Sequence, residues 1–215
     1  MCVISSRYEY YYGVMMLEKR PIIIAFEGHD GVGKTTQSLL LDARCKSAGF
    51  SCERVKMPNN TGAIGTITMK LVSFMTNSGL ALNFPNAFNV FHFMNKLSFQ
   101  KNYLDESTKN VIIFDRWKMS ASVYGQAMGA SISLNERLSS KLAEPDLSIV
   151  LVSRRRRHEG DMLDTNDDLQ KSVMSLYTER ACHDDRIFII DSDASIMDVH
   201  KKIIDAVTAK TSLNL

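Results

Sequence analysis

The chain contains no apolar run long enough to cross a bilayer: its purely apolar stretches are a handful of residues, against the ~20 that a membrane helix needs. Cysteine is sparse and scattered. Cys2, Cys45, Cys52 and Cys182 include no CxxC pair, which argues against a disulfide framework or a zinc site and for a reducing compartment. Charge of one sign is also missing. A formal net charge of +2 gives no reason to expect a nucleic-acid surface, and the one dense basic run is Arg154, Arg155, Arg156 and Arg157, next to His158. The first residues have no apolar h-region and too few arginines for a transit peptide. No disorder or coiled-coil signal is present, and 45% hydrophobic with 23% charged residues over 215 positions suits one soluble domain. The expectation is a cytoplasmic protein with neither membrane nor nucleic acid as partner.

What is present is a strand running into a glycine loop and a helix start. Ile22, Ile23, Ile24, Ala25 and Phe26 are β-favouring or apolar, and Gly28 with Gly33-Lys34-Thr35 satisfies GxxxxGK[ST]. In such a loop, formed here by Gly28, His29, Asp30, Gly31, Val32, Gly33, Lys34, Thr35 and Thr36, backbone N–H groups wrap nucleotide phosphates. Lys34 reaches the β/γ oxygens and the Thr35 hydroxyl ligates Mg2+. Glycine is expected there because a Cβ would hold the backbone off the phosphate and forbid positive φ. The following helix adds its positive end.

Further along, strand-like and helix-like segments alternate. The strands are read near residues 22–27, 52–57, 111–114, 145–152 and 186–190, with helical spacing near 64–74, 87–103, 120–128, 134–142, 169–182 and 196–207. Breaks fall at Asn77-Ser78-Gly79 and Asn83-Phe84-Pro85. This pattern implies an α/β fold: a five-stranded parallel sheet with helices on both faces and a site at the carboxyl ends of the strands. Residues 1–20 match neither period cleanly and are read as an N-terminal extension to a domain spanning 21–215.

The buried-looking run Val111-Ile112-Ile113-Phe114 ends in Asp115-Arg116. Asp115 is placed to help hold hydrated Mg2+, and Arg116 to grip an acceptor phosphate with its fork. The bland alternative is a surface ion pair at a strand end.

Residues 26–37 resemble the FEGxDGxGKTTQ opening of thymidylate kinases, and Asp115-Arg116-Trp117-Lys118-Met119-Ser120 through Tyr124 resembles their DR[YW]xxSxxAY segment. The resemblance covers about residues 21–209. It implies a P-loop kinase fold with a lid segment, ATP and Mg2+ as cofactors, dTMP as acceptor and dTDP as product, with a homodimer left open. It also implies that Asp30 meets the deoxyribose 3′-hydroxyl, Arg116 the acceptor phosphate, and Ser120 and Tyr124 the sugar and base pocket. Three positions depart from the family. Asn60 stands where an arginine usually follows the FPxR proline; His92 and Lys96 align with the FxxxR pair that holds thymine; and Gly125 stands where a glutamine follows the tyrosine. The four arginines fall where such kinases carry a lid over the phosphates, and they are read as transition-state cations because the loop has none beyond Lys34. Asp161, Asp164, Asp167 and Asp168 lie close behind them. Two alternatives remain: a kinase for another deoxynucleotide or for a deoxynucleoside, and a non-catalytic nucleotide-binding protein.

Overall fold

A computed structural model describes residues 8–11, 14–17, 20–153 and 166–215. Ahead of the phosphate strand the backbone makes an antiparallel hairpin, β1 (Tyr8–Tyr11) with β2 (Val14–Leu17), Tyr8 facing Leu17 in register. Both strands lie within the stretch read as an N-terminal extension. The hairpin stays a two-stranded sheet of its own and does not join the main one.

The main sheet holds β3 (Ile22–Glu27), β4 (Cys52–Lys56), β5 (Val111–Asp115), β6 (Leu147–Val152) and β7 (Ile187–Asp191) in the order β4-β5-β3-β6-β7, all parallel. Strand alternation sends Ile24 and Phe26 of β3 to one face and Ile23 and Ala25 to the other, and all four are buried. The first pair packs with Leu41, Ile113, Ile149 and Ile203; the second packs with Phe93, Phe114 and Trp117. A strand apolar on both faces is what a sheet covered on both sides requires.

Helices α1 (Lys34–Ser47), α2 (Gly62–Asn77), α3 (Leu80–Asn83), α4 (Pro85–Asn102), α5 (Lys118–Ala127), α6 (Ile132–Ser139), α7 (Asp167–Ala181) and α8 (Ile196–Lys210) connect and cover the strands. The predicted breaks are where helices end. Gly79, at φ 75°, separates α2 from the single turn α3, and Pro85 opens α4 at the first position, where its missing N–H costs nothing. Asn166 caps α7 through Leu169 N at 3.0 Å, and Ser195 caps α8 through Asp198 N at 3.1 Å. None of these helices is long and apolar enough to cross a membrane among the described residues. Because β3 has β5 on one side and β6 on the other, the chain reverses its winding direction at β3. The crevice for a ligand opens there, at the strands' carboxyl ends.

Candidate active site

The loop leaving β3 carries Gly28, Gly31 and Gly33 at φ 126°, 79° and 93°, in the region glycine adopts freely. Two of them serve different needs. A Cβ on Gly28 would run into the carbonyl of Leu151 on the adjacent β6, so glycine there lets two backbones approach; a Cβ on Gly33 would meet open space. The expectation that glycine keeps the backbone close to phosphate therefore suits the open Gly33, whereas Gly28 is fixed by sheet packing. A cavity of about 250 Å³ touches Gly31, Val32, Gly33 and Thr36 on one side and Ser153 and Asp193 on the other.

Lys34 begins α1 but folds back across the loop. Only 5% exposed, it donates to the His29 carbonyl at 2.5 Å and lies 3.3 Å from Asp30. Burial, with Arg116 adding, pushes its ammonium down to about 8 despite the pull of Asp30 and Asp115. His29 is itself buried, its Nδ1 2.9 Å from the Asp30 carbonyl. Thr35 Oγ1 donates to Asp115 Oδ2 at 2.7 Å, joining the two oxygens expected at a metal. No group of three His, Cys, Asp or Glu side chains that could hold a metal occurs among the described residues. This donor set suits Mg2+, which takes one or two protein oxygens and fills its octahedron with water and phosphate.

Asp115 is no surface residue. It is buried, and its other partner is Arg54, 3.6 Å away, rather than its neighbour Arg116. Arg116 turns the other way at φ 71°, a conformation that strains a residue with a Cβ. Its guanidinium donates to the Gly28 carbonyl at 3.0 Å, to Ser120 at 3.2 Å and to Asp30 at 2.5 Å, and it sits 5.3 Å over the Tyr124 ring.

Beside it opens a cavity of about 320 Å³ that brings Asp30, His92, Lys96, Arg116, Ser120 and Tyr124 to one surface, although they come from three separate stretches of the chain. Phe88, His92 and Lys96, four residues apart, share one stripe of α4: Phe88 and His92 touch edge to face with centroids 4.6 Å apart, and Lys96 lies in the cavity wall, buried. Phe93, by contrast, points into the core. Burial, with Lys96 and Arg116 adding, holds the His92 imidazole well below its ordinary pKa, so the ring is neutral at physiological pH.

Four polar residues that the sequence reading left without a role support this surface. Glu27, wholly buried at the end of β3, accepts from Trp117 N at 3.0 Å and from Ser120, whose hydroxyl is 3.0 Å from Tyr177. Burial raises the Glu27 carboxyl above its usual value, opposed by those two donors and by the charges of Arg116 and Lys96. Asn95, also buried, clamps the loop after β4: it accepts from Asn59 N at 3.0 Å and donates to the Asn59 and Gly65 carbonyls at 2.7 and 2.9 Å. Asn89 lies against Gly125, where a Cβ would fall 2.5 Å from its side-chain amide. A side chain at position 125 would therefore need Asn89 to move aside, and Gln126 is taken up by Arg180 at 3.2 Å. Such roles have no local signature, because the partners lie far apart in the chain.

The thymidylate kinase family model matches residues 26–203. The chain belongs to the thymidylate kinase family. Thymidylate kinase of Plasmodium falciparum is 28% identical over 204 residues, covering 89% of this chain and 91% of that one; thymidylate kinase of Caldanaerobacter subterraneus is 27% identical over 200, covering 86% and 93%. In fold, the crystal structure of the Ehrlichia chaffeensis thymidylate kinase superposes with a TM-score of 0.71 at 21% identity, over 88% of this chain and 99% of that one. This thymidylate kinase-like chain is therefore a P-loop nucleoside monophosphate kinase, a family that uses ATP and nucleotide substrates. The family's lid position, with Arg154, Arg155, Arg156, Arg157, Asp161 and Asp164, lies outside the described residues.

Proposed function

We propose that this chain transfers the γ-phosphoryl group of ATP to dTMP, giving dTDP and ADP. The observation that carries the reading is the adjacency of two half-sites: the Lys34–Thr35–Asp115 cradle and the Arg116–His92–Lys96 cavity share one carboxylate, Asp30, which is 3.3 Å from Lys34 and 2.5 Å from Arg116. Phosphoryl transfer is mainly positioning and charge stabilisation, so a cation on each side of the transferred group is the required arrangement. Lys34 and the loop N–H groups would hold the donor, and Thr35 and Asp115 would hold Mg2+, which would supply charge neutralisation for the donor phosphates. Arg116 grips the acceptor phosphate through the fork it now offers Asp30 and Gly28. That exchange leaves Asp30 for the deoxyribose hydroxyl, with Ser120 and Tyr124 beside the sugar. The basic run supplies further charge from the lid; retention of full kcat in all four single alanine variants would remove it from this role.

The base lies on His92. A neutral imidazole stacks without desolvating a charge, and the edge of Phe88 fixes its plane. Stacking of this kind is worth ~1–3 kcal/mol, so His92→Ala should raise the dTMP KM about five-fold or more. ADP release measured against dTMP, dUMP, dCMP, dGMP and thymidine tests the acceptor: dTMP should be fastest, dUMP next and the purine poor. Faster turnover of dCMP, dGMP or thymidine would transfer the chain to another substrate within the kinases.

Lys96 makes acceptor binding pH-dependent. Burial lowers its ammonium to about 8, against the pull of Glu27 and with Arg116 adding to the fall. An anion favours the protonated form, so the empty site loses affinity as pH rises through about 8, and dTMP binding above that pH takes up a proton. Calorimetric titration with dTMP alone should show Kd rising between pH 7 and 9.5 in the wild type and in Lys34→Ala, with the rise abolished in Lys96→Arg. A flat wild-type profile would show that Lys96 faces no charge on the ligand.

A further inference from the structure

The residues assigned above leave the acceptor phosphate short of positive charge. A nucleoside monophosphate carries close to two negative charges at neutral pH, since its second pKa is about 6. Arg116, once it exchanges Asp30 for the phosphate, brings one positive charge, and Lys34 is assigned to the donor side. Arg54 is engaged by Asp115 at 3.6 Å and by Ser38 at 2.9 Å. Lys96 is sunk in the wall under the field of Glu27. Asn60, at the position where relatives carry an arginine, is exposed, does not line the cavity and brings no charge; its carbonyl accepts from Thr66 at 2.9 Å.

Lys56 fills this description. It is the last residue of β4, its Cα partner in β5 is Asp115, and it lines the acceptor cavity together with Met57, Pro58 and Arg116. Strand alternation puts the Lys56 stem on the same sheet face as Arg54, whose guanidinium is beside Asp115, and at the carboxyl end of β4 the residue still borders the acceptor cavity. It is exposed, and it forms no ion pair among the described residues. A lysine is a point charge on a flexible four-carbon stem, able to follow a phosphate without fork geometry.

We infer that Lys56 supplies a further cation for the acceptor phosphate, beside Arg116 and the buried Lys96, from the strand before the loop, in place of the arginine that the loop lacks at position 60. This rests on the acceptor being dTMP. Arg116 then gives direction and Lys56 gives charge, and Asn95 matters because its clamp on Asn59 fixes the chain just after Lys56.

Binding without turnover isolates the contact. Wild type, Lys56→Ala and Lys56→Arg are each titrated with dTMP and with thymidine, which differ only in the phosphate, with no ATP present. Loss of a charge-assisted contact predicts dTMP weakened roughly ten-fold or more in Lys56→Ala, thymidine unchanged, and Lys56→Arg within about three-fold of wild type for both. The substitution is on an exposed side chain, and unchanged melting with full thymidine binding verifies the fold. Equal dTMP affinity in wild type and Lys56→Ala, with both preferring dTMP to thymidine, would overturn the assignment and leave the acceptor reading standing. A wild-type chain that binds thymidine as tightly as dTMP would remove the acceptor reading and the role of Lys56 together.

Discussion

Lys34→Ala should lower kcat by about 10³ or more while the melting temperature stays level or rises. The two halves of this expectation have one cause. The ammonium of Lys34 is held at 5% exposure, with a carbonyl at 2.5 Å and a half-exposed carboxylate at 3.3 Å, an environment that lowers its pKa to about 8. The fold therefore carries the charge at a cost in stability, which is what a group kept for a ligand looks like and a structural ion pair does not. Removing the side chain removes that cost together with the contact to the β/γ-phosphates. The pH dependence has a definite sign. In the folded chain Lys34 releases its proton near pH 8, whereas in the unfolded chain it keeps it to about 10.4. The unfolded state binds more protons in that window, so this group makes wild-type stability rise with pH between about 8 and 10.4. In Lys34→Ala that part of the rise is lost, and the part due to Lys96 remains. Near-normal turnover in the variant would remove the proposed donor site.

The second large effect is at Arg116. Arg116→Gly should cost kcat/KM for dTMP about 10² or more while leaving stability within ~1 kcal/mol of wild type. The side chain gives up three hydrogen bonds, to Gly28, Ser120 and Asp30, and with them the fork that an acceptor phosphate takes. The backbone gains, since φ 71° strains arginine and suits glycine, a relief of order 1 kcal/mol that offsets the lost pair with the half-exposed Asp30. Arg116→Lys should restore little activity, because a point charge cannot reproduce two parallel bonds. A glycine variant that unfolds, or that keeps dTMP turnover, would show that the strained conformation serves the fold rather than the acceptor.

The features legible in the sequence are those whose cause is local. The strand into the glycine loop, the acid and arginine closing β5, and the breaks at Gly79 and Pro85 each follow from a few neighbouring residues. Helical spacing alone put Phe88, His92 and Lys96 on one stripe, and the fold turned that stripe to the cavity. What escaped has its cause at a distance. Glu27 meets Ser120 and Trp117 only because β3 and β5 lie side by side, and Asn95 finds Asn59 only once α4 crosses behind the loop after β4. Gly28 reads as a phosphate glycine in sequence, yet the atom it must clear is the carbonyl of Leu151. The strands Tyr8–Tyr11 and Val14–Leu17 have four residues each, too short for an alternation to stand out.

The most direct test of the account is the product itself. Wild-type chain incubated with ATP, Mg2+ and dTMP is quenched over time and its nucleotides separated, so that dTDP and ADP are counted independently. One dTDP should form for each ADP, with ADP production falling to background when dTMP is left out. ADP released without dTDP, or equally fast without dTMP, would contradict it, since water rather than the nucleotide in the Arg116 cavity would then be accepting the phosphoryl group.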